Sequence, residues 1–566
     1  MQYGRLLPLL GVLLLAGCDG PLEPAMDSGL PGRDGSVPTD PDADAPSRDG
    51  GDDAGPRPPP GEWQLPPGHF HPAVMPMELV HPRPDDETSE HARHRWAHPE
   101  VAYRIPAAVI QGGAWPFFYE IVEGPPGATI GAQLDHVDDV QVAGPEYGIV
   151  SWTPSAADEG STATFVVRVT DQEGATVEAR WTVTVDASRF LFLSPSGNAS
   201  NPGTIDAPMR DVADWYRGDP TDDTFADRLV YFRAGDYTPI GQDGNENLRM
   251  EAGVKPMTYM AYPGEVATLD ATRASWTFWA GTHDVYFSGL RFVGSKVVQP
   301  DGGEVANARN IAFYGERNHE RVTFFQVTAE NIAPGAVGND NPAFVWRPSS
   351  GSRRGRHWAF VNNTFDTAGP RSSNGPRPVS LSCVSYVVYE GNTVIDWHAT
   401  NIFGDKASVD HETQRNNDLW EVARTVEGTG YGLGAGMSNS YDTSHSPGYV
   451  EVGWNRIRLP MARGSGPWAL SFARSAIGSE EPRGPVWAYR NSIVGSVAVW
   501  ASGSVEAQLE DNVVQGETWR GADPATAASD NHWVMDLDAE VFDDATGALI
   551  GEARASYLGT RGAEVH

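Results

Sequence analysis

Six times between residues 363 and 514 a β-rich run ends in the same way, with Asn, one residue, then an apolar residue. The copies are Asn363-Thr-Phe365, Asn392-Thr-Val394, Asn417-Asp-Leu419, Asn455-Arg-Ile457, Asn491-Ser-Ile493 and Asn512-Val-Val514, spaced 29, 25, 38, 36 and 21 residues apart. One coil of a parallel β-helix takes roughly 20–25 residues, with longer spacings where a loop leaves the coil. Asn suits the turn of such a coil because it tolerates the left-handed region and its amide can bond backbone groups of the next coil. The spacing therefore predicts an all-β chain whose large C-terminal part, 188–566, is a parallel β-helix. Each apolar residue after the Asn should point into the core, and the tail after 515 should close the open end.

The start of this part adds a family resemblance. Phe190-Leu-Phe-Leu-Ser-Pro-Ser-Gly-Asn198 and Asn201-Pro-Gly-Thr-Ile-Asp-Ala-Pro208 resemble the opening of pectin-lyase-like right-handed β-helices. The matching continues through Leu229-Val-Tyr-Phe-Arg-Ala-Gly-Asp-Tyr237, Met257-Thr-Tyr-Met-Ala-Tyr-Pro-Gly264 and His283-Asp-Val-Tyr-Phe-Ser-Gly-Leu-Arg-Phe292. It implies a short capping helix at 209–216.

Residues 99–187 alternate apolar and polar residues in short runs separated by turn signals such as Gly124-Pro-Pro-Gly127 and Asp171-Gln-Glu-Gly174, the pattern of a small β-sandwich. Pro125-Pro-Gly-Ala-Thr-Ile130, Gly148-Ile-Val-Ser-Trp-Thr-Pro154 and Phe165-Val-Val-Arg-Val-Thr-Asp171 resemble bacterial Ig-like, cadherin-like modules. Such modules are spacers or adhesion units. Cadherins proper bind calcium between domains; here Asp171 and Glu159 are the candidate ligands, and calcium is the one cofactor left open.

Residues 1–18 read as a lipoprotein signal peptide. Arg5 precedes the apolar stretch Leu6 to Leu15, too short for a membrane span, and Leu15-Ala-Gly-Cys18 resembles a bacterial lipobox. An ordinary signal peptide is the alternative. The resemblance implies cleavage before Cys18, acylation of its thiol and a tether to the bilayer of the cell envelope, at the outer membrane or cell surface. The other cysteine, Cys383, lies in an apolar run and reads as a buried thiol.

Residues 19–98 read as a stalk and linker. Within 19–62 there are 11 acidic and 3 basic residues and almost no large apolar ones, so no core can form and the segment should extend. Residues 63–98 hold six histidines, with His69, His71, His91 and His94 in short pairs. The spacing fits no standard metal site, and an irregular linker is the default reading. The whole chain carries a formal charge of −34, which argues against a nucleic-acid partner.

Two functions remain open. In the first, the solenoid binds a polysaccharide or cell-surface glycan, or mediates adhesion, without catalysis. Its ligand would meet Arg347, Arg353, Arg354, Arg356, Arg371 and Arg377, which against two aspartates give residues 340–380 a net charge of +4. Arginine pairs bidentately with carboxylates, although such a loop also serves solubility. Recurrent tryptophans, among them Trp358, Trp454 and Trp487, either stack sugars or fill the core.

In the second, the chain is a polysaccharide lyase. Lyases of this fold use a basic residue to remove the proton α to a uronate carboxyl group, with arginine or calcium stabilising the anion. Asn401-Ile-Phe-Gly-Asp-Lys406 loosely resembles the catalytic coil of alginate-lyase and chondroitinase-B-like enzymes, making Lys406 the base and Arg415 a candidate partner. Ala407 stands where those enzymes carry serine, and their later Arg-His-Gly coil is replaced by Tyr431-Gly-Leu-Gly-Ala-Gly436. A solvated turn is the alternative role for Lys406. No paired-aspartate signature of a glycoside hydrolase is present.

Overall fold

The computed structural model describes residues 77–566 apart from 111–114, 133, 138–139, 173, 211–227, 238–246, 252–255, 271–274, 280–282, 295–311, 315–318, 331–342, 348–354, 367–376, 382–383, 396–402, 404–409, 421–432, 437–449, 459–468, 474–482, 496, 500–504, 517, 521–525, 530, 537, 559–560 and 565–566.

From residue 190 on, the chain is a parallel β-solenoid. Among the described residues one sheet has 12 strands in chain order, from Phe190–Leu193 to Thr526–Ser529, and a second has 11, from Gly235–Tyr237 to His532–Val534. The third side is built from a five-stranded and a four-stranded parallel sheet. Early strands of the 12-stranded sheet, called the long sheet below, hold nearly continuous apolar runs: Phe-Leu-Phe-Leu, Leu-Val-Tyr-Phe, Val-Thr-Phe-Phe. A half-buried strand would alternate; an unbroken run belongs to a strand buried on both faces. Leu191, Leu193, Val230, Phe232, Phe287, Phe324 and Phe360 enter the solenoid interior. Phe190, Phe192, Tyr231, Met260, Tyr286, Phe325 and Val388 belong to a separate cluster outside it.

The asparagines form the ladder that their spacing predicts. Asn363 Nδ2 donates to Asn392 Oδ1 at 2.9 Å, Asn392 to Asn417 at 2.9 Å and Asn417 to Asn455 at 3.0 Å. The series runs on through Asn491 and Asn512 to Asn531, a member the spacing did not reveal. Each amide also donates to a backbone carbonyl, as Asn417 does to Tyr389 O at 3.0 Å. The left-handed conformation falls one residue earlier than predicted: Asn362, Gly391, Asn416, Trp454, Arg490 and Asp511 take positive φ, each just before a ladder Asn. In the preceding coils buried Leu290 and Val327 hold the ladder position, and Val327 N donates to Asn363 Oδ1 at 2.9 Å.

The N-terminal unit is antiparallel for the most part. A four-stranded sheet joins Trp96–Ala97, Thr176–Val185, Thr162–Thr170 and Phe118–Glu123; a three-stranded sheet joins Tyr103–Pro106, Ile149–Trp152 and Thr129–Ile130. Phe165 and Trp181 stack at 5.2 Å in the core between them. The linker reading of 77–98 does not hold. Glu78–His81 pairs with Ala108–Ile110, and His81, Arg93, His94 and His98 are buried. This strap is tied to the core of the unit, since Trp181 Nε1 donates to Tyr103 Oη at 3.0 Å and Tyr103 Oη donates to His94 O at 2.7 Å. The strap and the residues around 145 lie on the outer face of the long sheet and supply the cover its apolar residues require.

A second, smaller cover, formed by the tail, lies along the outer face of the second sheet rather than across the open end of the solenoid. Val541, Phe542, Leu549 and Ala553 pack on Val494 and Val513 of the second sheet, and Trp420 Nε1 donates to Asp544 O at 3.0 Å.

Candidate ligand-binding face

Arg415 is fully buried, and its burial removes it from any solvent-facing catalytic set. It ends the strand Asp410–Arg415 of the long sheet. Glu412 and Gln414 share register with Val387, Val450, Tyr389 and Val452, which line the interior. Alternation therefore turns Thr413 and Arg415 outward, beneath the N-terminal unit. There Arg415 Nη2 donates to Val109 O at 2.7 Å and lies 3.5 Å from Glu390 Oε2, while Nη1 lies 3.4 Å from Glu451 Oε1. Its guanidinium sits 4.5 Å from the centre of the Phe117 ring. Thr413 and Tyr489 donate to Glu451 from the same strands. Burial raises the Glu390 pKa, against the pull of the adjacent Arg415. These groups form a buried charged seam between the two parts of the molecule. The outward position is legible from strand alternation; the cover that buries it is not.

The basic segment is divided between two sides. Arg356 is exposed on the long sheet, 5.0 Å from the centre of the Tyr386 ring. Arg347 and Arg377 lie on neighbouring strands of the third side, Ala343–Arg347 and Arg377–Leu381. The register sets Ala343 against Arg377 and Arg347 against Leu381, so the two arginines occupy opposite ends of the strand pair, roughly 13 Å apart along the strands. Arg353, Arg354, Arg371 and Lys406 lie outside the described residues, as do Cys18, Cys383, His69 and His71. Phe403 bridges Val379 in parallel, and Val379 pairs with Val345. Three successive coils thus bring Val345, Val379 and Phe403 to one side of the solenoid.

Neither cover packs on that side among the described residues. Among the described residues the N-terminal unit bonds to the long sheet and the turn beside it, through Asp284, Gln326, Asn362 and Arg415. The tail bonds to the second sheet, through Arg456, Ser492 and Gln515.

Tryptophan resolves toward packing where it is described. Trp358 is buried in the interior and donates to His319 O at 3.2 Å. Trp487 and Trp454 lie under the N-terminal unit, Trp454 with its ring 4.8 Å from Trp115. The two candidate calcium ligands are not neighbours: Glu159 and Asp171 flank opposite ends of the nine-residue strand Thr162–Thr170. Glu159 accepts from Ala187 N and Asp171 from Ala175 N. Among the described residues no three His, Cys, Asp or Glu side chains group as metal ligands.

No family model matches the chain, and no curated protein matches it. Among solved structures, a chain described as a rhamnogalacturonan lyase aligns over 66% of this chain and 99% of its own, at 15% identity and a TM-score of 0.42. So slight a likeness carries no argument about activity, and the solenoid assignment rests on the parallel ladders of the chain itself.

Proposed function

We propose that this chain is an exported lipoprotein whose pectin-lyase-like β-helix binds an acidic polysaccharide along its third side. The single observation that carries this reading is the division of labour among the sides: among the described residues the N-terminal unit covers the long sheet, the tail covers part of the second, and neither packs on the third side, which joins the strands of Arg347 and Arg377. A uronate-rich chain offers carboxylates, and arginine pairs bidentately with carboxylates. In this reading residues 1–18 direct export, acylated Cys18 tethers the chain to the envelope, residues 19–76 extend it from the bilayer, and the N-terminal unit is an Ig-like, cadherin-like module.

The test is binding of the intact chain to a panel of anionic and neutral glycans by calorimetry. Arg347→Glu with Arg377→Glu should lower affinity for an anionic ligand at least tenfold and leave the thermal midpoint within a few degrees. Equal binding by the variant, or binding to neutral glycans alone, would refute the reading.

The alternative is a lyase with Lys406 as base. The resemblance of the run Asn401 to Lys406 to a lyase coil favours it, and Phe403 of that run bridges Val379 on the third side. Buried Arg415 has no part in it. Incubation with alginate, pectate or chondroitin would then produce an unsaturated uronate absorbing in the near ultraviolet, and Lys406→Ala would abolish it while leaving binding intact.

A further inference from the structure

We propose that the N-terminal unit is held on the solenoid by an acid-sensitive clasp: His81 and His94 of the strap are buried against the long sheet as neutral rings, and their protonation releases the unit.

The geometry is that of a site with no place for two added charges. The rings of His81 and His94 meet edge to face at 5.7 Å, and His81 lies 5.6 Å from Tyr286 of the solenoid. His81 Nδ1 is 2.9 Å from Pro106 O. His94 Nε2 is buried with no hydrogen-bond partner among the described residues. The groups facing the pair come from all three elements packed there. The strap contributes Arg83, Arg93 and Arg95, the solenoid contributes Asp284, Tyr286 and Arg321, and the sandwich contributes Tyr103. Asp284 is the one carboxylate among them, and it is already committed: it accepts from Arg321 Nε at 2.7 Å, His283 Nδ1 at 2.9 Å and Ser89 N at 3.0 Å. A cavity of about 20 Å³ lined by His81, Arg93, His94 and Asp284 has room for one water, enough to bring a proton to the rings.

Burial pushes His81 down to about 4 and holds His94 well below its ordinary range. A released histidine titrates near 6.5. The released form therefore binds more protons between pH 6.5 and about 4, and docking weakens as pH falls through that window. His357, also lowered by burial, pairs with Glu78 Oε1 at 3.1 Å and acts in the same sense. Glu390 acts in the opposite sense, since its raised pKa favours the docked form as pH falls. Release accordingly starts at the strap and leaves the Arg415 seam to part last. Both parts stay joined through residues 186–190, so acid would convert a covered sheet into an exposed one without losing the cover.

The experiment is small-angle scattering of the full chain from pH 7.5 to 4.0, with histidine C2-hydrogen exchange read by mass spectrometry on the same samples. The expected result is a rise in radius of gyration within that range, with the docking equilibrium falling up to about 100-fold per pH unit for two protons. His81→Gln with His94→Gln should flatten that slope. If the double variant misfolds, His94→Gln alone should halve the slope on a logarithmic scale. The proposal is overturned if the native chain stays compact to pH 4.0. It is also overturned if the variants keep the native slope, or if C2 exchange shows both histidines titrating at the ordinary value while the chain is compact.

Discussion

The long sheet and the second sheet are built by the same passes of the same chain, share the asparagine turns between them and send the same kind of residue inward. They differ on the outside. Along the second sheet the early strands read Ala-Thr-Leu-Asp, Thr-Ala-Glu and Thr-Phe-Asp, with Leu269, Ala329 and Phe365 inward and the polar residues, buried Thr268 apart, partly exposed. Along the long sheet the outward positions include Phe190, Phe192, Tyr231, Tyr286 and Val388, all under the N-terminal unit. Where the second sheet reaches Ser492-Ile-Val494 and Val513-Val-Gln515 its outward residues turn apolar, and there the tail covers it. Outer-face composition in a solenoid thus records what lies on each sheet, coil by coil, because an uncovered apolar row would be a binding or aggregation surface.

This contrast can be broken most forcefully at the seam. Arg415→Met leaves Glu390 and Glu451 buried without their cation, and should cost ~3–5 kcal/mol in chemical denaturation, the usual penalty for breaking a buried pair. A change below ~1 kcal/mol would mean that the seam is not sealed. On the covered face, Tyr231→Ala should cost ~3 kcal/mol through lost packing, and should raise proteolytic cleavage at the strap. Asn417→Ala probes what the two sheets share. It removes the acceptor of Asn392 N and Nδ2, and should cost ~2 kcal/mol, with faster amide exchange in the coils on either side. The smallest effect belongs to the uncovered face, where Thr364→Ala on the second sheet should stay within ~0.5 kcal/mol. A loss there as large as that of Tyr231→Ala would mean that the second sheet is covered at its early strands too.

The ladder and the solenoid were legible because Asn363, Asn392 and Asn417 do one job that few residues can do, at a fixed place in each coil. The conformational reason was misplaced by one residue: the strain falls on Asn362 and Asn416, while the ladder Asn supplies hydrogen bonds. The strap was missed because its signal is compositional. His81 and His94 look polar in sequence, yet the His81 ring, with Nδ1 against Pro106 O, packs on Tyr286 and meets the His94 ring edge to face. Arg415 was misjudged for a related reason. Alternation tells which side of a strand a residue takes, but only the partner surface decides whether that side meets water. The unbroken run Phe190-Leu-Phe-Leu193 did carry that information, since a strand with one wet face has no use for two apolar rows.

The ladder also bears on how such a molecule changes length. Each asparagine makes the same bonds to the coil before and the coil after, so joining Asn363 directly to the coil of Asn417 would leave every donor facing an acceptor. By its own chemistry the ladder does not count coils. The N-terminal unit does, because it grips the long sheet at Met260, Tyr286, Gln326, Asn362, Arg415 and Trp454 in turn. It acts as a ruler laid along the solenoid. Whole-coil insertions or deletions should therefore be rejected beneath it, and the tail, bonded from Trp420 to Gln515, measures the last coils in the same way.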